Sequence, residues 1–178
     1  MDFQQSRTYA NLLASYEHEL KNSAQYEIYA DIARNETYIE IANIYEVTAR
    51  NDKEHARIWL RQMNQGILPT TEETLRNSAQ IETETASNMY QEYARIAREE
   101  GFNDIAALFS GVANIDFNHS TEFMNQYQEV ISNEVFCKPF NTLWICIQCG
   151  NIMSAECAPV ICPVCGFPQG YYKLYENQ

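Results

Sequence analysis

The sequence predicts an all-α four-helix bundle followed by a small C-terminal segment held together by a metal ion. Three observations carry this expectation. Up to about Asn133 the chain is nearly free of Pro and Gly and rich in Ala, Glu, Gln, Arg and Ile, with apolar residues at helical spacing. Within that stretch one pattern occurs twice. After it, the composition turns abruptly to Cys, Pro and Gly.

Taken in order, four long helices are expected over roughly 5–35, 38–64, 71–99 and 103–130. Gln65-Gly66-Ile67-Leu68-Pro69 separates the second from the third, and Gly101 stops the third. The first junction, near Asn35, has no Gly and is marked only by the pattern. The repeat has an offset of 64 residues. Tyr26-x-x-Tyr29-Ala30-x-Ile32-Ala33-Arg34-x-Glu36 returns as Tyr90-x-x-Tyr93-Ala94-x-Ile96-Ala97-Arg98-x-Glu100, and Ile41-Ala42 returns as Ile105-Ala106. One helical hairpin used twice suggests a bundle with approximate two-fold symmetry. Residues 1–134 are read as the bundle, 135–143 as a linker containing Pro139, and 144–178 as the tail domain.

The 178 residues suffice for one full-size domain and a small appendage, and the net charge of −12 with no basic patch argues against nucleic acid or anionic membrane as partner. The opening MDFQQSRTYANLL has neither a basic nor an apolar signal region, so no signal peptide is expected, and no apolar run reaches spanning length. A cytoplasmic location follows as the expectation, and with it reduced thiols.

In the tail, Cys146-Ile-Gln-Cys149-Gly150 and Cys162-Pro163-Val-Cys165-Gly166 form two CxxC knuckles. Two such knuckles facing each other give a tetrahedral set of four thiolates, which suits zinc or a single iron. The segment is too short for an apolar core of its own, so a metal is expected to hold it. Cys137 and Cys157 lie outside the knuckles and are expected to be free thiols.

Two of the three histidines occupy equivalent repeat positions, each three residues after a carboxylate: Asp52 with His55, and Asp116 with His119. On a helix, such pairs share a face. Glu19 on the first helix and Glu82 on the third add one carboxylate each. Four carboxylates and two imidazoles from four helices are the pattern that binds two metal ions in a bundle, and oxygen-rich sets with imidazole suit iron or manganese. The plainer role for a polar helical residue is a solvated face, and any one such pair is weak; two copies at one offset are not. His18 is expected to be a neighbour or a surface residue. Tyr26, Tyr29, Tyr90 and Tyr93 are expected mainly to pack.

At this point the chain resembles rubrerythrin over nearly its full length. Glu19 followed by Tyr26-x-x-Tyr29-Ala30 looks like that family's first helix, and Ile41-Ala42-x-Ile44 through Lys53-Glu54-His55-Ala56 like its second. Met89 through Phe102 is close to its third-helix signature. Trp144-x-Cys146-x-x-Cys149-Gly150 and Ala158-Pro159-x-x-Cys162-Pro163-x-Cys165 look like its rubredoxin-type tail.

The resemblance implies a ferritin-like diiron bundle joined to a rubredoxin-like β domain with one iron in four thiolates. It implies a cytoplasmic peroxidase of oxidative-stress defence that reduces hydrogen peroxide to water. Electrons would come from rubredoxin or an NADH-dependent reductase, and the protein would be a homodimer. Glu19, Asp52, His55, Glu82, Asp116 and His119 are carried over as the diiron ligands and as the catalytic set. Cys146, Cys149, Cys162 and Cys165 would hold the mononuclear iron, with zinc possible in either site. Three positions depart from the family pattern. Asp52 and Asp116 stand where it has glutamate, one methylene or about 1 Å shorter, and Thr85 stands where it has a second helix-three glutamate. Glu84 points elsewhere. The redox-linked iron movement attributed to that glutamate is therefore not carried over. An iron-binding, ferroxidase-like storage protein with weakened peroxidase activity is the alternative expectation.

Overall fold

The computed structural model describes residues 2–175. The chain divides into two compact units, Met1–Thr70 and Thr71–Gln178.

The first unit is an antiparallel helical hairpin of α1 (Arg7–Asn35) and α2 (Ile39–Met63), preceded by a 3-10 turn. Ser6 caps α1, its Oγ accepting from the Tyr9 amide at 3.1 Å. The hairpin seam is made of small residues. Ser23, Ala30, Ala33, Ala42, Ala49 and Ala56 are all buried, which lets the two backbones approach closely. The Ser23 hydroxyl donates across the seam to the Ala49 carbonyl at 2.8 Å.

The second unit opens with α3 (Thr71–Glu84), a π-helical segment (Thr85–Tyr90) and α4 (Gln91–Glu99), then turns into α5 (Asn103–Ile131). The backbone stays right-handed helical through both junctions, at Glu84 and at Tyr90. The third helix is thus one rod, but not the uninterrupted α-helix that the pattern predicts over 71–99.

The repeat explains the interruption. Glu82 follows Glu19 by 63 residues, whereas Tyr90 follows Tyr26 by 64. One extra residue lies between that glutamate and the tyrosine, and a π turn is how a helix absorbs a residue without losing its face. The buried positions obey the same rule. Ala94, Ala97, Ala106, Ala113 and Ser120 are buried 64 residues after Ala30, Ala33, Ala42, Ala49 and Ala56; upstream of the extra residue, Ala86 matches Ser23 at 63. Aromatic packing repeats as well. The rings of Tyr26, Tyr29 and Tyr45 sit 6.3, 5.8 and 5.6 Å apart, and those of Tyr90, Tyr93 and Phe109 sit 6.4, 5.9 and 5.6 Å apart.

Both hairpins turn alike. At the α4–α5 turn Gly101 has φ +87° and the Phe102 amide donates to the Ala97 carbonyl at 2.8 Å. At the α1–α2 turn the same left-handed position is held by Thr37, φ +69°, with the Tyr38 amide donating to the Ala33 carbonyl at 2.8 Å. That boundary lacked a glycine signal because a β-branched residue occupies a conformation that normally selects glycine.

The sheet that follows has the order β2-β1-β3, all antiparallel, with β1 at Cys137–Cys146, β2 at Ile152–Cys157 and β3 at Tyr172–Leu174. The expected linker over 135–143 is therefore mostly strand. Pro139 is tolerated because the β1–β2 pairing is irregular between Cys137 and Thr142, where no ladder bond needs its missing N–H. The same pairing corrects a second expectation. Cys137 lies opposite Cys157, and the two form a disulfide rather than remaining free. A small core does exist in the tail: Trp144, Cys146, Ala158, Cys162 and Tyr172 are buried, with Phe136, Met153 and Leu174 packed against them. No helix among the described residues is long and apolar enough to cross a membrane.

Candidate metal centres

Among the described residues, three groups of side chains converge closely enough to hold a metal: one set of four thiols and two sets of three carboxylate and imidazole groups, with the candidate donor atoms within 4.8 Å of one another in each.

The tail site is built by two tight turns. After the second cysteine of each knuckle, the Gly150 amide donates to the Cys146 carbonyl at 2.8 Å and the Gly166 amide to the Cys162 carbonyl at 2.9 Å. Cys146 Sγ lies 3.8 Å from Cys165 Sγ, and Cys149 Sγ lies 3.7 Å from Cys162 Sγ. Four sulfurs about 2.3 Å from a central ion would be separated by ~3.75 Å in a tetrahedron, so the spacing fits a metal. Buried Trp144 anchors the first knuckle, its Nε1 donating to the Ala155 carbonyl at 3.1 Å.

The metal-free thiols are unlike one another. The Tyr172 hydroxyl, donating toward its sulfur, lowers the Cys162 thiol to about 6. Cys165 is pushed up to about 12: the Phe167 amide by itself would lower it, but burial and three neighbouring sulfurs outweigh that bond. Cys149 is raised in a similar contest: its Asn151 backbone bond and Cys165 lower it, but burial, Cys162 and Cys146 outweigh them. Tyr172 is itself raised, by burial and then by the Cys162 sulfur. Such a set keeps protons that a cation displaces. Tyr172 had no sequence signal: nothing distinguishes it from Tyr171 until β3 pairs Tyr172 with Cys146.

The two smaller sets are near copies. In the first hairpin His55 Nδ1 lies 3.4 Å from Glu19 Oε2 and 3.6 Å from Asp52 Oδ1. In the second, His119 Nδ1 lies 3.8 Å from Glu82 Oε2 and 3.9 Å from Asp116 Oδ1. The exposures also match. Both imidazoles are about half exposed, at 50% and 49%, while the aspartates are largely buried. All six predicted ligands therefore fall into two sets of three, each held by one hairpin. Hard oxygens with one imidazole suit a divalent iron or manganese ion, so the donor chemistry fits.

The remaining candidates stand apart. Thr85 begins the π segment and brings no carboxylate. Glu84 is exposed and accepts from Gln80 Nε2 at 2.8 Å. His18 is a surface residue 3.2 Å from the Asn22 amide. Trp59, one turn beyond His55, was not anticipated; its indole N–H is buried without a partner among the described residues.

Comparison with known proteins agrees with this chemistry. The chain is 32% identical to a rubrerythrin of Clostridium perfringens over 97% of its own length and 96% of that protein's. It is 31% identical to a rubrerythrin of Porphyromonas gingivalis, over 94% and 90%. A putative rubrerythrin of Methanocaldococcus jannaschii is 30% identical over 94% and 92%. The Rubrerythrin family pattern matches residues 10–127, and with its paired helical hairpins, its two Asp-x-x-His sets and its four-cysteine sheet the chain belongs to the rubrerythrin family, with that family's ferritin-like bundle and rubredoxin-like domain.

Proposed function

We propose that this member of a family of oxidoreductases is a cytoplasmic peroxidase that reduces hydrogen peroxide to water as part of oxidative-stress defence. Rubredoxin or an NADH-dependent reductase is the proposed donor, and the reaction is H2O2 + 2 e− + 2 H+ → 2 H2O. The observation that supports this reading is the coexistence of three metal-binding sets of two kinds in one chain. Two are rich in oxygen donors, and one is sulfur only.

Glu19, Asp52 and His55 would hold one share of a two-iron centre, and Glu82, Asp116 and His119 the other. Iron bound there would supply electrons to peroxide. The protein's own part is to keep the donors close. The largely buried Asp52 and Asp116 are fixed by their helices, and each lies within 4 Å of its histidine, so each carboxylate holds an imidazole in place. The four thiolates of Cys146, Cys149, Cys162 and Cys165 would hold a single iron in a closed shell that changes charge without losing a ligand, which suits electron transfer.

The test uses anaerobic, fully reduced, iron-loaded protein. On addition of peroxide the tail is expected to develop ferric-thiolate absorption, with water as the only product. A tail that stays reduced beside a loaded bundle sinks the peroxidase reading. A second reading, an iron-binding ferroxidase of low peroxidase activity, is favoured by Thr85 and by the two shortened ligands Asp52 and Asp116. It predicts iron uptake with slow or absent peroxide turnover.

A further inference from the structure

We propose that Cys137 and Cys157 are a second redox site, a thiol pair that hydrogen peroxide closes to the disulfide and that a small thiol or dithiol reopens. The oxidant comes from the proposed function, and to that extent the role of the pair rests on it. The chemistry belongs to two sulfurs and needs no metal.

The six cysteines are of two kinds. Cys146, Cys149, Cys162 and Cys165 are free thiols gathered in one cluster, whereas Cys137 and Cys157 are bonded to each other and stand outside it. The register of the sheet separates the two kinds further. Ile145 pairs with Ile152 beside the first knuckle, while Cys137 pairs with Cys157 at the other end of β1 and β2. The pair is therefore not a spare set of metal ligands. In a reducing cytoplasm a disulfide is usually transient, catalytic or redox-sensing rather than a permanent staple.

Three features fit this bond for repeated opening and closing. The first is access. Cys157 is exposed and Cys137 half-buried, so a thiol or a peroxide in solution meets Cys157 first. The second is mechanical independence. Residues 142–145 pair with 152–155 without a break, but residues 138–141 then stand against Glu156 alone before Cys137 meets Cys157. The disulfide is an isolated rung, and breaking it undoes no other pair of the ladder. The third is preorganisation. Phe136 precedes Cys137 and Ala158 follows Cys157; both pack in the small core of the tail, and the Ala158 amide donates to the Phe136 carbonyl at 2.8 Å. None of these contacts involves the two sulfurs. After reduction they keep the thiols opposite each other, so the second is at hand when the first is oxidised.

The exposures assign the roles. The Cys157 thiolate attacks one peroxide oxygen, the O–O bond breaks, and the other oxygen leaves as water with a proton from solvent. Cys157 is then a sulfenic acid. The Cys137 thiol attacks its sulfur, the S–S bond forms, the S–O bond breaks, and a second water leaves. Overall, two thiols and one peroxide give one disulfide and two waters, with two electrons passing from sulfur to peroxide. Reopening is thiol–disulfide exchange. An external thiolate attacks the exposed Cys157 sulfur and releases Cys137, and a second external thiol frees Cys157 and leaves as the oxidised external disulfide.

The test uses the full-length protein with Zn2+ in place of iron, so that no bound metal can give electrons to peroxide. The folded protein is treated anaerobically with excess dithiothreitol, freed of it, and given one equivalent of hydrogen peroxide. Samples are blocked with N-ethylmaleimide and mapped peptide by peptide by mass spectrometry. Cys137 and Cys157 should take the label after dithiothreitol and lose it after peroxide, at a rate at least about tenfold above the oxidation of free glutathione. In Cys137→Ser the second thiol is gone, so dimedone should capture the Cys157 sulfenic acid, with severalfold less adduct in the wild type. A bond that dithiothreitol leaves closed in the folded protein is a structural staple and overturns the proposal. So does a pair that opens but recloses no faster than free glutathione is oxidised. Should the variant misfold, the wild-type cycle decides by itself.

The two readings fail separately. Closure in the zinc protein, beside an iron-loaded protein whose tail peroxide leaves reduced, would sink the peroxidase reading and leave the thiol site standing. Oxidised tail iron beside an unreactive cysteine pair would do the opposite.

Discussion

At the scale of single residues the metal sets make separable predictions. His119→Ala removes one of three donors from its cluster but touches nothing in the tail, so bundle iron should fall at least severalfold while tail iron stays at one per chain, as elemental analysis would read. Unchanged bundle iron would show the set to be misassigned. Asp52→Glu together with Thr85→Glu lengthens one ligand and adds another carboxylate near Glu82. Peroxide turnover should rise if these departures limit the site. The tail thiols set a pH dependence. Cys165 is raised to about 12 and Cys162 lowered to about 6, so at neutral pH a metal must displace the Cys165 proton but not that of Cys162. Protons and metal compete for the same sulfurs. Metal retention therefore strengthens as pH rises and weakens as it falls, by ~10-fold per pH unit for each proton displaced. Tyr172→Phe removes the hydroxyl that lowers Cys162 and should move half-loss of the metal to higher pH, measurable from thiolate-to-metal absorption during titration. No shift would mean that the hydroxyl does not influence the site.

At the scale of elements, the turns and seams set stability. Thr37 holds a left-handed turn conformation that its repeat partner Gly101 fills without strain. Thr37→Gly should stabilise the first hairpin by about 1 kcal/mol, raising its thermal midpoint. Ala113→Leu places a large side chain in a seam of buried alanines and should cost about 1–3 kcal/mol or more by forcing α3–α5 apart. The helices themselves were legible because their apolar spacing and lack of Pro and Gly leave little alternative. The π segment was not. Its signature is a difference of one residue between two offsets, 63 for Glu19 to Glu82 and 64 for Tyr26 to Tyr90, and a single helical pattern read by itself does not display it. The strand over Cys137–Cys146 was hidden by Pro139, which marks a loop unless the pairing is irregular just there.

At the scale of the whole molecule, the chain combines helical hairpins that gather carboxylate and imidazole groups with a disulfide-linked sheet that gathers four thiols. The Cys137–Cys157 disulfide closes a loop of sequence separation 20, so Cys157→Ser should lower the stability of the oxidised tail by about 3 kcal/mol while leaving the four-thiolate metal bound. Chemical denaturation of tail absorption, with and without reductant, reads this directly.

The sequence by itself determined the helices, the repeat, the two CxxC knuckles and the six carboxylate and imidazole residues that the hairpins bring together. Each of these is a matter of local spacing: i and i+3 fall on one helical face, and two residues between cysteines make one knuckle. What only the tertiary structure decided depends on residues distant in the chain. Cys137 meets Cys157 because two strands pair, Tyr172 reaches Cys162 because a third strand returns beside the first, and the six candidate metal-binding residues fall into two sets of three because each hairpin closes its own seam. Spacing names the residues that can share a site. Which of them do is settled by packing, since pairing across strands and helices is a property of the folded chain and not of any window along it.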